Sequence, residues 1–156
     1  MTIEITNESG VAIDETVLLH LIDHHLAQLH VSPDAELAIM LVDEGAMEAL
    51  HVQWMDEPGP TDVLSFPMDE LRPGTEMMPA PPGLLGDIVL CPQVAEAQAV
   101  AARHPLINEL IMLTTHGLLH LLGFDHAEPK EEREMFVLQR DLILSFAVQQ
   151  KRRPRA

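Results

Sequence analysis

The chain has 156 residues, 47% hydrophobic but only 3% aromatic, with 25 acidic and 9 basic side chains and a formal net charge of -16. That length suits one domain with an aliphatic, methionine-rich core, and no apolar run approaches the roughly eighteen residues a membrane helix needs. The acidic balance argues against a generic nucleic-acid binder with a basic face: no Lys or Arg precedes Arg72, and four of the nine cluster between Lys151 and Arg155.

The alternation Ile3-Glu-Ile5 predicts a first strand, ended by Asn7 and Gly10. Asp14 is placed to cap a helix through about His30, with Val17, Leu18, Leu21, Ile22 and Leu29 on its apolar face. His20, His24 and His25 lie on that helix and read as exposed or cap residues, since no third ligand is near. Glu36 to Val42 has the apolar density of a buried strand. Asp43 then caps a second helix reaching Trp54, with Ala46, Ala49, Leu50 and Trp54 facing inward; Trp54 reads as packing rather than base stacking.

Pro58-Gly59-Pro60 marks a loop, and Val63 to Phe66 a third strand. Residues 69–85 are rich in Pro, Gly and Met and predict a long mobile loop able to close over a substrate. Leu85 to Cys91 is a fourth strand, and Pro92 suits the start of the next helix, to about Arg103. Pro105 opens a long helix. Glu128-Pro129 opens the last one, to about Gln150, with Met135, Phe136, Leu138, Leu142, Ile143 and Phe146 in helical step. Residues 1–150 thus read as one domain, and 151–156 as a basic tail that is either a disordered, solvated end or a short contact for RNA. The N-terminus lacks the basic start and apolar run of a secretory signal. The single Cys91 cannot form an internal disulfide and reads as a small buried strand-end residue. The expected compartment is the cytoplasm.

The chemistry concentrates in His116-Gly-Leu-Leu-His120-Leu-Leu-Gly123-Phe-Asp125-His126. His116 and His120 are four apart and share a helix face. Gly123 ends the helix and lets His126 return toward them. Three imidazoles without a fourth protein ligand suit a catalytic metal, best Zn²⁺, one per chain, with a position left for water whose pKa falls toward about 7. Asp125 is placed to orient that water or act as its base, or else to cap the turn before Glu128. Asp62, Ser65 and Asp87 fall at strand ends, where site residues gather. The spacing also matches the metalloprotease word His-Glu-x-x-His-x-x-Gly-x-x-His, but Gly117 stands where those enzymes carry the glutamate base.

The histidine word, with Pro60-Thr-Asp-Val-Leu-Ser-Phe-Pro67 and Gly86-Asp-Ile-Val-Leu-Cys91, closely resembles the YbeY family of bacterial endoribonucleases over roughly residues 2 to 145. The resemblance implies a zinc-dependent, single-strand-specific ribonuclease acting in maturation of the 3′ end of small-subunit ribosomal RNA and in ribosome quality control. Its implied partners are the small ribosomal subunit, a ribosomal protein and a GTPase. Many members carry an Arg after the aromatic residue of a stretch like Asn-x-x-Tyr-Arg; here His51, Trp54 and Met55 stand at the corresponding places. Arg72, on the following loop, is the candidate to stand in for that Arg, and Ser65 is a separate candidate for contacting substrate.

The expected architecture is an α+β domain: a mixed sheet of about four strands, about five helices, and a zinc cleft at the sheet's edge. Two other functions compete: a metallopeptidase, from the ligand spacing, and a non-catalytic ribosome assembly factor, from the charge and Met55.

Overall fold

The computed structural model describes residues 2–152. Thr2–Asn7 (β1), Glu36–Leu41 (β2), Val63–Pro67 (β3) and Leu84–Leu90 (β4) form one sheet in the order β1-β2-β4-β3. β1, β2 and β4 run parallel, and β3 pairs antiparallel with β4, Leu64 opposite Val89. The described residues hold five helices: Glu15–Gln28 (α1), Glu44–Met55 (α2), Pro92–Ala102 (α3), Leu106–Leu121 (α4) and Pro129–Arg152 (α5). This is the α+β domain with a small mixed sheet that the sequence predicts.

Strand alternation divides the sheet into two faces. Leu37, Ile39 and Leu41 with Ile88 and Leu90 pack against Leu18, Leu21 and Ile22 of α1 and Leu110, Leu118 and Leu121 of α4. The intervening Leu64 and Val89 pack instead with Met47, Val42 and Cys91 in a smaller cluster on the opposite face. α4 is apolar on nearly every side because it touches β3, β4, α1, α3 and α5 at once. Two glycines permit this closeness. A Cβ on Gly86, at φ 134°, would stand 2.2 Å from the Phe66 carbonyl oxygen, and one on Gly117 would stand 3.1 Å from both Ile88 Cγ2 and Ser65 Oγ.

Several local expectations change. Asp43 and Asp14 occupy the N-caps of α2 and α1 as expected, but only Asp43 caps through its side chain, accepting Ala46 N–H at 2.8 Å. α2 turns Met47 inward and leaves Ala46, Ala49 and Trp54 exposed, because it covers the sheet with one narrow edge. His24 and His25 are buried, not exposed. His25 Nε2–H donates to Thr115 Oγ1 at 2.9 Å, and that hydroxyl donates to the Ile111 carbonyl. The second ring nitrogen of His25 faces His24 Nδ1 at 3.3 Å, and His24 Nε2 meets Ser145 Oγ at 3.0 Å. The pair thereby joins α1, α4 and α5.

The segment between β3 and β4 is tied to the end of α1. Gly74 N–H donates to Leu29 O and Ala80 N–H to His30 O, and Leu71 and Ala80 are buried. Lys151 and Arg152 continue α5, so the basic end begins within a helix; residues 153–156 lie outside the described residues. No helix among the described residues is long and apolar enough to cross a membrane.

Candidate metal centre

α4 carries two of the three histidines, and its C-terminal turn delivers the third. Gly123, at φ 95°, adopts the left-handed conformation. Its N–H donates to the His120 carbonyl, and Phe124 N–H to the Leu119 carbonyl. These two bonds make the Schellman motif that reverses a chain after a helix. The following residues double back, and Asp125 Oδ1 holds the turn by accepting His126 N–H at 2.7 Å. The ring of His126 comes to 5.9 Å from that of His116 and 5.3 Å from that of His120.

One ring nitrogen from each of His116, His120 and His126 lies within 4.8 Å of the others, a group able to hold a metal ion. The facing Nε2 atoms of His116 and His120 are 3.1 Å apart. Two nitrogens at tetrahedral positions about 2.1 Å from a zinc ion stand roughly 3.4 Å apart, so the pair fits that ion with a small adjustment. Burial, then the neighbouring His116 and His126 rings, hold the His120 imidazole below its ordinary range, against the pull of Asp125 and the Phe124 backbone. The neutral ring is the form that ligates.

Gln139 of α5 completes the arrangement. It is buried, and its Oε1 accepts His116 Nδ1–H at 2.9 Å, which leaves His116 Nε2 without a proton and aimed at the other rings. Orientation of a ligand by an acceptor on its second nitrogen is a general feature of metal sites. In sequence, Gln139 is one polar residue in step with Met135, Leu142 and Phe146. That break in an apolar stripe was the available signal, and the spacing of the histidines gave no reason to look for it.

The site opens into a cleft of about 700 Å³ between β3, α4 and α5, within the usual range for ligand pockets. Met55, Asp62, Ser65, Phe66, Asp125 and Phe136 line it with the histidines and Gln139. Ser65 Oγ–H donates to the Gly117 carbonyl at 3.0 Å and so joins β3 to α4. Asp62 accepts from Val63 N–H at 2.7 Å and from Gln98 Nε2 at 3.2 Å. Asp87 sits elsewhere, in a shallow depression with Glu4 and Glu36. Arg72 does not line the cleft. Its guanidinium packs on the Gly123 turn and donates through Nη1 to the Glu70 and Leu71 carbonyls. Phe136, expected inside the domain, is 46% exposed and lies nearly parallel to the His116 ring at 6.1 Å. Trp54, expected to pack, is 60% exposed and stands edge-on to Phe66 at 6.0 Å.

Fold and site together define a small α+β protein with a three-histidine cleft able to hold a metal ion. The model of the Endoribonuclease YbeY family matches residues 3–149, and the chain belongs to that family. Among its relatives is Endoribonuclease YbeY of Clavibacter michiganensis subsp. michiganensis, 68% identical over 98% of this chain and 100% of the relative. That of Leifsonia xyli subsp. xyli is 68% identical over 94% of this chain and 96% of its own. The solution structure of a Thermotoga maritima protein superposes with a TM-score of 0.64 at 27% identity, covering 96% of this chain and 91% of that one.

Proposed function

We propose that this protein is a zinc-dependent endoribonuclease that cuts single-stranded RNA in the cytoplasm, in 3′-end maturation and quality control of small-subunit ribosomal RNA. The observation that carries this reading is the convergence of His116, His120 and His126 in an open cleft, in a chain of a family named for endoribonuclease activity. His116, His120 and His126 would hold the ion. Zinc at such a site supplies Lewis-acid stabilisation of a phosphoryl oxygen and brings the pKa of water near neutrality.

The chain's own groups do the rest. Gln139 fixes the His116 tautomer, and Asp125 fixes the turn that presents His126. Ser65 commits its proton to Gly117 O, so its oxygen can accept from a substrate hydroxyl but is not poised as a nucleophile. Asp125, exposed beside the last histidine, is the carboxylate nearest in sequence to the ligands and the candidate to orient water or take its proton. Peptidase chemistry is disfavoured by packing as well as by sequence: a Cβ at Gly117 would already stand 3.1 Å from Ile88 Cγ2 and Ser65 Oγ, so a glutamate there would have to displace those side chains.

One observation favours a second reading, a metal-binding assembly factor: among the described residues no Lys or Arg lines the cleft, and the chain carries a net charge of -16. Contacts with a ribosomal protein or a GTPase on the small subunit would bring such an acidic protein to RNA under either reading. The deciding experiment measures metal content and cleavage of single-stranded RNA on the same preparations of wild type, His116→Ala and His120→Ala. One equivalent of zinc with cleavage lost in both variants supports the nuclease. Stoichiometric zinc without cleavage, and variants that merely unfold earlier, would transfer the argument to the assembly factor.

A further inference from the structure

The aromatic rings of this chain are few and unevenly placed. There are one Trp, four Phe and no Tyr. Phe66 and Phe136 line the cleft with Met55, and Trp54, the residue before Met55 and not itself a lining residue, stands edge-on to Phe66 at 6.0 Å. Trp54 and Phe136 are 60% and 46% exposed, although large rings ordinarily bury most of their surface. They approach from two sides. Trp54 and Phe66 come from α2 and β3, whereas Phe136 comes from α5 with its face nearly parallel to His116, at an interplanar angle of 24°. Met55, 57% exposed, continues the apolar rim beside Trp54.

The charge distribution selects the occupant. A nucleic-acid site normally gains affinity from Lys and Arg on phosphates, yet among the described residues the lining includes neither, and Arg72 is turned onto the Gly123 turn. Phosphate contacts outside the metal are therefore sparse, and the available contact surface is ring faces and a thioether. Unpaired nucleobases match that surface: each has a π face, and stacking on an aromatic ring contributes regardless of sequence. A duplex hides those faces in its own stack.

We infer that Trp54 and Phe66 on one rim and Phe136 on the other form a base-stacking clamp for the unpaired nucleotides on either side of the scissile phosphate. This rests on the ribonuclease reading and deepens it. Selection of single strands then follows from the rims, and binding falls with salt far less steeply than for a basic nuclease, whose slope grows with each phosphate it neutralises.

Trp54 is the only tryptophan in a chain without tyrosine, so its emission reports on this rim alone. The zinc-loaded protein is titrated with a short 2′-O-methyl oligoadenylate and with the same sugar–phosphate backbone lacking bases; binding is read from Trp54 emission and from the anisotropy of labelled strands. Single-stranded RNA cleavage is assayed alongside. The clamp requires saturable quenching by the oligoadenylate and little binding of the abasic strand. Trp54→Ala and Phe136→Leu should each weaken binding roughly 5- to 100-fold, with Trp54→Phe restoring most of it. Equal binding of both strands, or unchanged Trp54 emission, in protein that still cuts RNA would overturn the clamp and leave the nuclease standing. Failure to bind either strand or to cut RNA would overturn both.

Discussion

Gln139→Leu tests how the metal site is held. The substitution keeps the volume of the side chain but removes the oxygen that accepts His116 Nδ1–H at 2.9 Å. In the metal-free protein the His116 ring can reorient, and leucine suits the company of Met135 and Leu142. The stability of that form should therefore change by less than about 1 kcal/mol. With zinc bound the ring is fixed, and its N–H is left facing a hydrocarbon, at a cost of about 1–3 kcal/mol for a buried unsatisfied donor. Because that cost falls on the bound state, zinc affinity should drop roughly 10- to 100-fold. Gln139→Glu retains an acceptor and should bind at least as tightly as wild type. Competition against a chromophoric chelator gives the affinities, and urea unfolding of the metal-free proteins gives the stabilities. The reasoning is refuted if affinity moves by less than about threefold while the metal-free variant is plainly destabilised: Gln139 would then be packing only.

Four further outcomes are expected. Gly117→Ala gains about 1 kcal/mol of helix propensity but sets a methyl 3.1 Å from Ile88 Cγ2 and Ser65 Oγ, an overpacking cost of about 1–3 kcal/mol; urea midpoints should fall, and Gly117→Glu should yield misfolded protein rather than hydrolysis of casein. Gly86→Ala combines a φ of 134° with a Cβ 2.2 Å from the Phe66 carbonyl and should cost at least about 3 kcal/mol, read as loss of soluble, cooperatively folding protein. Burial, then His24, lowers the His25 pKa from 6.5 to about 3. The unfolded chain thus takes up the proton first, and this contribution to stability is whole above pH 6.5 and is lost as pH falls toward 3. Its limiting slope is about 1.4 kcal/mol per pH unit; acid titration of unfolding should show a shallower limb in His25→Gln. Removing zinc with a chelator should lower the thermal midpoint, since a ligand at about a hundred times its Kd adds about 2.7 kcal/mol, worth roughly 5–11 °C in a domain of this size.

Much of this protein is written in short-range pattern. The i, i+4 histidines, the glycine three residues past the second and the return to His126 define the metal group, because helix pitch and the Schellman turn are properties of a dozen consecutive residues. The strands and the proline that opens α3 were legible for the same reason. The tertiary structure decided which side of each element would be covered. α2 has apolar residues all round, and the sheet's geometry chose Met47 and left Trp54 in solvent. Gln139 meets His116 across 23 residues, and His24 meets Ser145 across 121; such contacts exist only once α5 has docked on α1 and α4. The same docking carried Phe136 out of the core and onto the rim of the cleft. Local chain geometry determines which donors can converge, while the packing of distant elements decides what holds them, which rings line the cleft, and which histidines are buried.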